Sequence, residues 1–167
     1  FGLVSSKEDQ RLKELDAAMD ATYQTGDTAK RYEIAKVAAA EHPGNFDCLL
    51  WLAGAEESYA IHNCERYSEE QQEHFTTAVK LYETLFEDCE DADTKNCAIR
   101  GLVRNLPNIG RKSDAVFYAK QHPYDEDELL MCCLSGEELS IHRQKMIERK
   151  MGDLVGDLEW GKHDLYA

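Results

Sequence analysis

Six cysteines and six histidines are the residues best able to do chemistry in this chain, and their spacing decides which chemistry is open to them. The cysteines stand at positions 48, 64, 89, 97, 132 and 133. His62-Asn63-Cys64 offers an imidazole and a thiol two residues apart, and Cys132-Cys133 offers adjacent thiols. Neither has the C-x-x-C or H-x₃₋₅-H spacing that lets two side chains converge on one tetrahedral zinc. Adjacent helical residues diverge by about 100°, so Cys132 and Cys133 do not share a face. No metal is expected. Cys64 beside His62 resembles a thiol–imidazole pair, yet nothing supplies an orienting third group or an oxyanion hole. There is no Ser-His-Asp signature, no glycine-rich phosphate loop and no H-E-x-x-H. Glu56-Glu57 and Glu69-Glu70 read as solvated helix faces. No catalytic residues, no cofactor and no enzymatic activity are expected.

Charge narrows the partners. Nineteen Lys and Arg against 33 Asp and Glu leave a net charge of −14 over 167 residues. Such a surface repels phosphate backbones, so this segment is a poor direct binder of nucleic acid. Proteins, peptides and cationic small molecules are the better partners. Against that background Arg100 and Arg104, one helical turn apart, could clasp a carboxylate or could simply neutralise neighbouring acids. No run of 18 apolar residues occurs, so no membrane span is expected. The opening FGLVSSKEDQ lacks the basic and apolar regions of a signal peptide and lacks an initiator methionine. The chain is therefore expected to be part of a longer protein, and its cysteines to be buried, reduced thiols in the cytoplasm.

The elements that carry these residues are helical. Apolar positions recur at three and four residues almost throughout, with no sustained alternation of period two. Helices are expected over about 6–24, 28–41, 46–63, 69–89, 93–106, 113–122, 124–134 and 135–160. Ser68 with Gln71 and Ser135 with Glu138 read as capping boxes, and Asp27 and Asp93 as N-caps. Gly26 ends the first helix. The fold class is all-α, with about eight helices in a single domain spanning 1–167.

An internal likeness suggests how they stack. Residues 23–43, YQTGDTAKRYEIAKVAAAEHP, and 106–123, LPNIGRKSDAVFYAKQHP, each carry a glycine, an alanine-rich run and a closing His-Pro. Helix pairs over about 6–43, 46–90 and 93–123, followed by helices over 124–160, fit a degenerate tetratricopeptide-like array, an antiparallel-pair right-handed solenoid. Arg31 and Glu56 intrude where that repeat favours aromatic or small residues. Such arrays bind extended peptides on the face lined by the first helix of each pair. The ligand-binding candidates on those helices are Trp51, Tyr59, Asn63, Asn96, Arg100 and Arg104.

Residues 118–160, with Leu134-Ser135-Gly136-Glu137-Glu138 and Gln144, and the upstream GRKSDAVFYA, resemble the end of a family of bacterial transcription regulators. That family joins an N-terminal lambda-repressor-like (xenobiotic-response-element-type) helix-turn-helix to a C-terminal tetratricopeptide-like sensor region. The remainder of the chain is alike only in helix pattern. The resemblance implies a ligand-sensing and dimerisation domain, with DNA contacted only through an N-terminal domain missing from this chain. It implies a homodimer and a signalling peptide or small effector as partners. Met146, Met151, Leu154, Leu158 and Trp160 are the candidate dimer interface, although packing within the domain would leave the same trace. A free-standing tetratricopeptide-like scaffold that docks a partner protein is the alternative, and a redox or metal sensor using the cysteines is a third.

Overall fold

The first five helices of this chain begin where a side chain takes an N–H group that a first turn leaves without a partner. The computed structural model describes the backbone of residues 6–164 and the side chains of residues 6–155. Ser6 starts α1 (Lys7–Thr25) with a reciprocal box, its hydroxyl accepting from Asp9 N while the Asp9 carboxylate accepts from Ser6 N. Gly26, at φ +69°, closes it in the left-handed conformation that glycine adopts without strain. Asp27 caps α2 (Thr28–Glu41) and Asn45 caps α3 (Phe46–His62). Ser68 caps α4 (Glu69–Asp88) through Gln71 N. The Gln71 side chain does not complete the expected box. It accepts from Tyr67 N and donates to the Ala60 carbonyl, tying the start of α4 to the end of α3. The cap of α5 (Ala92–Asn105) is Asp91 rather than Asp93, because Asp91 takes both the N–H and the hydroxyl of Thr94. Those two bonds hold the Asp91 carboxyl below its ordinary pKa.

A 3₁₀ turn at Leu106–Ile109 leads to α6 (Lys112–Ala119), α7 (Glu126–Cys133) and α8 (Gly136–Asp164). The protein is all-α, with eight α-helices and no strand among the described residues. No helix among them is long and apolar enough to cross a membrane. The expected helices are all present, with ends shifted by a few residues.

Each helix packs on the next in the chain, and α5 also touches α3 and α7. The contacts rest on small side chains. Ala35, Ala38, Ala53, Ala60, Ala78, Ala98, Ala115 and Ala119 are wholly buried, which lets helix backbones approach closely. Leu85, Leu102 and Leu106 fill the largest cluster, which runs from α3 to α7. Two smaller clusters join α1, α2 and α3, with Trp51 packed against both.

Arg31 is buried because it acts as a cap. Its guanidinium donates to the Thr22 hydroxyl and carbonyl at the end of α1, where the helix dipole favours a cation, and lies over the Tyr23 ring. The two His-Pro histidines, His42 half-buried and His122 buried, have different tasks. His42 pairs with Glu8 and so joins the end of α2 to the start of α1. His122 accepts from Tyr124 N and Asp125 N and turns the chain into α7.

Gly101 on α5 lies so close to the ring of Tyr82 on α4 that an added Cβ would fall within the ring's van der Waals envelope. Gly101→Ala is expected to lower unfolding stability by about 1–3 kcal/mol through overpacking, measured by urea denaturation. Gly54→Ala, whose added carbon would be in ordinary contact with the Tyr82 hydroxyl, is the control expected to cost far less. Equal losses in the two variants would contradict the assignment.

Candidate functional site

Gln71 and Asn63 fix the turn between α3 and α4. Asn63 donates to the Thr28 hydroxyl at the start of α2, so three helix ends are locked together. Above that junction, successive turns of α3 and α4 bring Glu56, Tyr59 and His74 against Tyr32 of α2. The rings of Tyr59 and His74 have centroids 4.7 Å apart, as do those of Tyr32 and Tyr59, and Tyr32 meets His74 edge-on at 5.4 Å. Lys36 caps the stack, its Nζ 4.3 Å from the centre of the Tyr32 ring.

Glu56 is only 5% exposed, and its carboxylate is bonded to His74 Nδ1. A buried carboxylate without a partner is costly, so this pairing is what allows Glu56 to sit there. Burial pushes the Tyr32 phenol up to about 12, with the Glu56 carboxylate adding to the rise. Beside His74, its ring and the side chains of Cys64 and Glu70 offer ligand atoms that all lie within 4.8 Å of one another. Cys64 and His74 are half-buried and Glu70 is exposed. Burial, Glu70 and Glu56, in that order, raise the Cys64 thiol.

The six ligand candidates do not fall on one surface patch. Tyr59 and Asn63 belong to this α2–α3–α4 junction. Trp51 stands half-buried between α1 and α3, where it lines an open groove of about 380 Å³ with Leu12, Lys13, Asp16, Asn45 and Asp47. Arg104 is taken by Glu57 of α3, with Nε 2.7 Å and a second nitrogen 3.1 Å from the carboxylate oxygens. Glu57 also accepts from the Tyr82 hydroxyl. Arg100 is bonded to Asp125 in the turn before α7. Asn96 sits half-buried on α5. Both guanidiniums therefore neutralise acids of their own chain, the plainer of the two readings of that pair.

The cysteines divide. All six are free; Cys48, Cys89 and Cys133 are buried as expected, Cys64 is partly exposed, and Cys97 and Cys132 are exposed. Cys64 meets His74 rather than its sequence neighbour His62, which is exposed on α3. Glu70 and His74 are spaced i,i+4 on a helix, which puts them on one face. That spacing was visible in the sequence; the approach of Cys64 to it was not.

Of the dimer candidates, Met146 is half-buried and Met151 and Leu154 are exposed on α8. Leu158 and Trp160 lie outside the residues whose side chains are described. Searches of protein-family models, of curated proteins and of solved structures find no match to the chain.

The phenol of Tyr32 makes the junction sensitive to alkali. Its folded pKa is raised above the unfolded value of 10.0, so the unfolded chain gives up this proton first. The stability that this group contributes is complete below pH 10 and is lost as pH rises towards about 12. Tyr32→Phe is expected to flatten the fall in urea-denaturation midpoint between pH 9 and 11 relative to the wild type. Parallel curves for the two proteins would remove Tyr32 from this role.

Proposed function

We propose that this chain is the sensor and dimerisation half of a cytoplasmic helix-turn-helix transcription regulator, built as a tetratricopeptide-like stack of helix pairs. The observation that carries the dimerisation part is the outer face of α8. Ile147, Met151 and Leu154 are each more than half exposed there, with Val155 beside them. They recur at four and three residues and continue in sequence to Leu158, the period of a coiled-coil seam. A helix of 29 residues is about 43 Å long, and among the described residues the bonds that tie it to earlier helices start from its N-terminal half. His142 and Arg149 reach Asp127 of α7, and Lys112 of α6 bonds Ser135 just before α8.

The partner that fits this face is a second copy. With Ile147 and Leu154 at d positions and Gln144 and Met151 at a positions, Arg143 occupies g and Glu148 the following e. Those two positions face each other across a parallel pair, so the charges are complementary in a two-fold dimer. The regulator part rests on the likeness of residues 110–160 to that family, and the acidity of the chain assigns DNA contact to a separate domain. The groove beside Trp51, mixed in charge and open to solvent, is the place for a peptide or small effector. A ligand there would bear on α1 and α3 together and shift their relative pose.

Sedimentation equilibrium tests the dimer. The wild-type chain is expected to dimerise, and Met151→Glu with Leu154→Glu to give a monomer of unchanged helix content, since both side chains are exposed. Arg143→Glu should weaken association and Arg143→Glu with Glu148→Arg should restore it. A wild-type monomer at the highest soluble concentration overturns the dimer. The coding frame upstream of Phe1 tests the rest: a basic, capped helix-turn-helix supports the regulator, and its absence leaves the free-standing scaffold.

A further inference from the structure

We propose that Cys64, Glu70 and His74 form a binding site for a divalent d-block cation, zinc above all. Three kinds of donor meet here: a thiol, a carboxylate and an imidazole. A tetrahedral zinc bonds such ligands at about 2.0–2.3 Å, which places ligand atoms about 3.5 Å from one another. The three ligand atoms already lie within 4.8 Å of one another, so side-chain rotation closes the set without moving a helix.

The setting is that of a held ligand rather than a chance meeting of side chains. His74 Nδ1 is bonded to the buried Glu56 carboxylate, which fixes the ring and leaves Nε2 for an ion. A carboxylate behind a metal-bound histidine orients the ring and raises its basicity. Glu70 and His74 share one face of α4, and Cys64 lies in the turn that Gln71 and Asn63 pin to α3 and α2. The partial exposure of Cys64 and the exposure of Glu70 leave a path from solvent and room for a fourth ligand. Sulfur and nitrogen donors favour zinc, cobalt or copper over magnesium and calcium, which take oxygen.

Without a cation, burial first and then the carboxylates of Glu70 and Glu56 favour the protonated Cys64 thiol. Binding reverses that balance: the metal takes the thiolate, and the Cys64 proton leaves to solvent. The ion would then clamp the α3–α4 turn to the second turn of α4, next to the Tyr32–Tyr59–His74 stack. This site is independent of the regulator reading, since it uses none of the α8 face or the Trp51 groove.

Titration of the reduced full chain with cobalt(II) tests it. One equivalent is expected to give the visible bands of a tetrahedral site with a thiolate-to-cobalt charge-transfer band, both erased by zinc. Cys64→Ala should abolish the charge-transfer band, and Cys97→Ser with Cys132→Ser, which remove the two most exposed thiols, should leave it intact. Glu56→Gln should weaken cobalt affinity about 10–100-fold while keeping the spectrum. Because Cys64 sits in a turn and is only partly buried, its variant should keep the wild-type circular dichroism, which separates lost ligation from lost folding. Absence of the charge-transfer band at stoichiometric cobalt, or its survival in Cys64→Ala, overturns the site.

Discussion

Glu56 is a carboxylate placed in the interior of a helix bundle, and much of the N-terminal half is arranged around that fact. A buried charge has to be met by a hydrogen-bonding or charged partner within the same structure. His74 of α4 meets it directly, and Tyr32 of α2 stands beside it. The three helices are thereby held in one register, since a slip of one residue along α4 would carry His74 about 100° away from the acid. Tyr59 and Lys36 close the stack on either side, and the bonds of Asn63 and Gln71 repeat the same three-helix connection one layer lower.

The same logic, at the surface, governs the arginines. Arg11 reaches Glu41, Arg104 reaches Glu57, Arg111 reaches Glu83, Arg100 reaches Asp125 and Arg149 reaches Asp127. Each pair joins two helices, or a helix and a turn, that are well separated in sequence. Exposed pairs contribute little stability, about 0–1 kcal/mol each. Their effect is on arrangement: in a chain with so many more acids than bases, placing the planar guanidiniums at helix junctions relieves the repulsion where backbones come closest.

The helices were legible in the sequence because caps and apolar periodicity are local. Asp27, Ser68, Gly26 and the His-Pro ends marked boundaries that the fold keeps. At α5 the sequence points to Asp93 and the fold uses Asp91 instead, since the choice depends on which carboxylate Thr94 reaches. Candidate ligand residues were harder. Trp51, Tyr59, Asn63, Asn96, Arg100 and Arg104 share the helices that carry them, but Trp51 packs towards α1, Tyr59 and Asn63 meet α2, and both arginines are taken by acids of the chain. Arg31 is visible in the sequence only as a residue out of place, and Glu56, which there reads as part of a solvated face as well, is buried. Their reason is tertiary: Thr22 for one, His74 for the other. Cys64 was read against the histidine nearest in sequence, whereas the turn of the chain presents it to the one that arrives ten residues later.

Packing in chain order also sets how the molecule folds and comes apart. When each helix rests on its neighbours in sequence, folding closes only short loops, and a nucleus anywhere along the array can grow in both directions. Opening follows the same map in reverse. Local opening of one helix need not unzip the α3–α5 centre, whose helices rest on one another. Among the described residues, α8 is tied to the short α7 through Asp127. A molecule stacked in chain order gives under load one helix at a time rather than all at once.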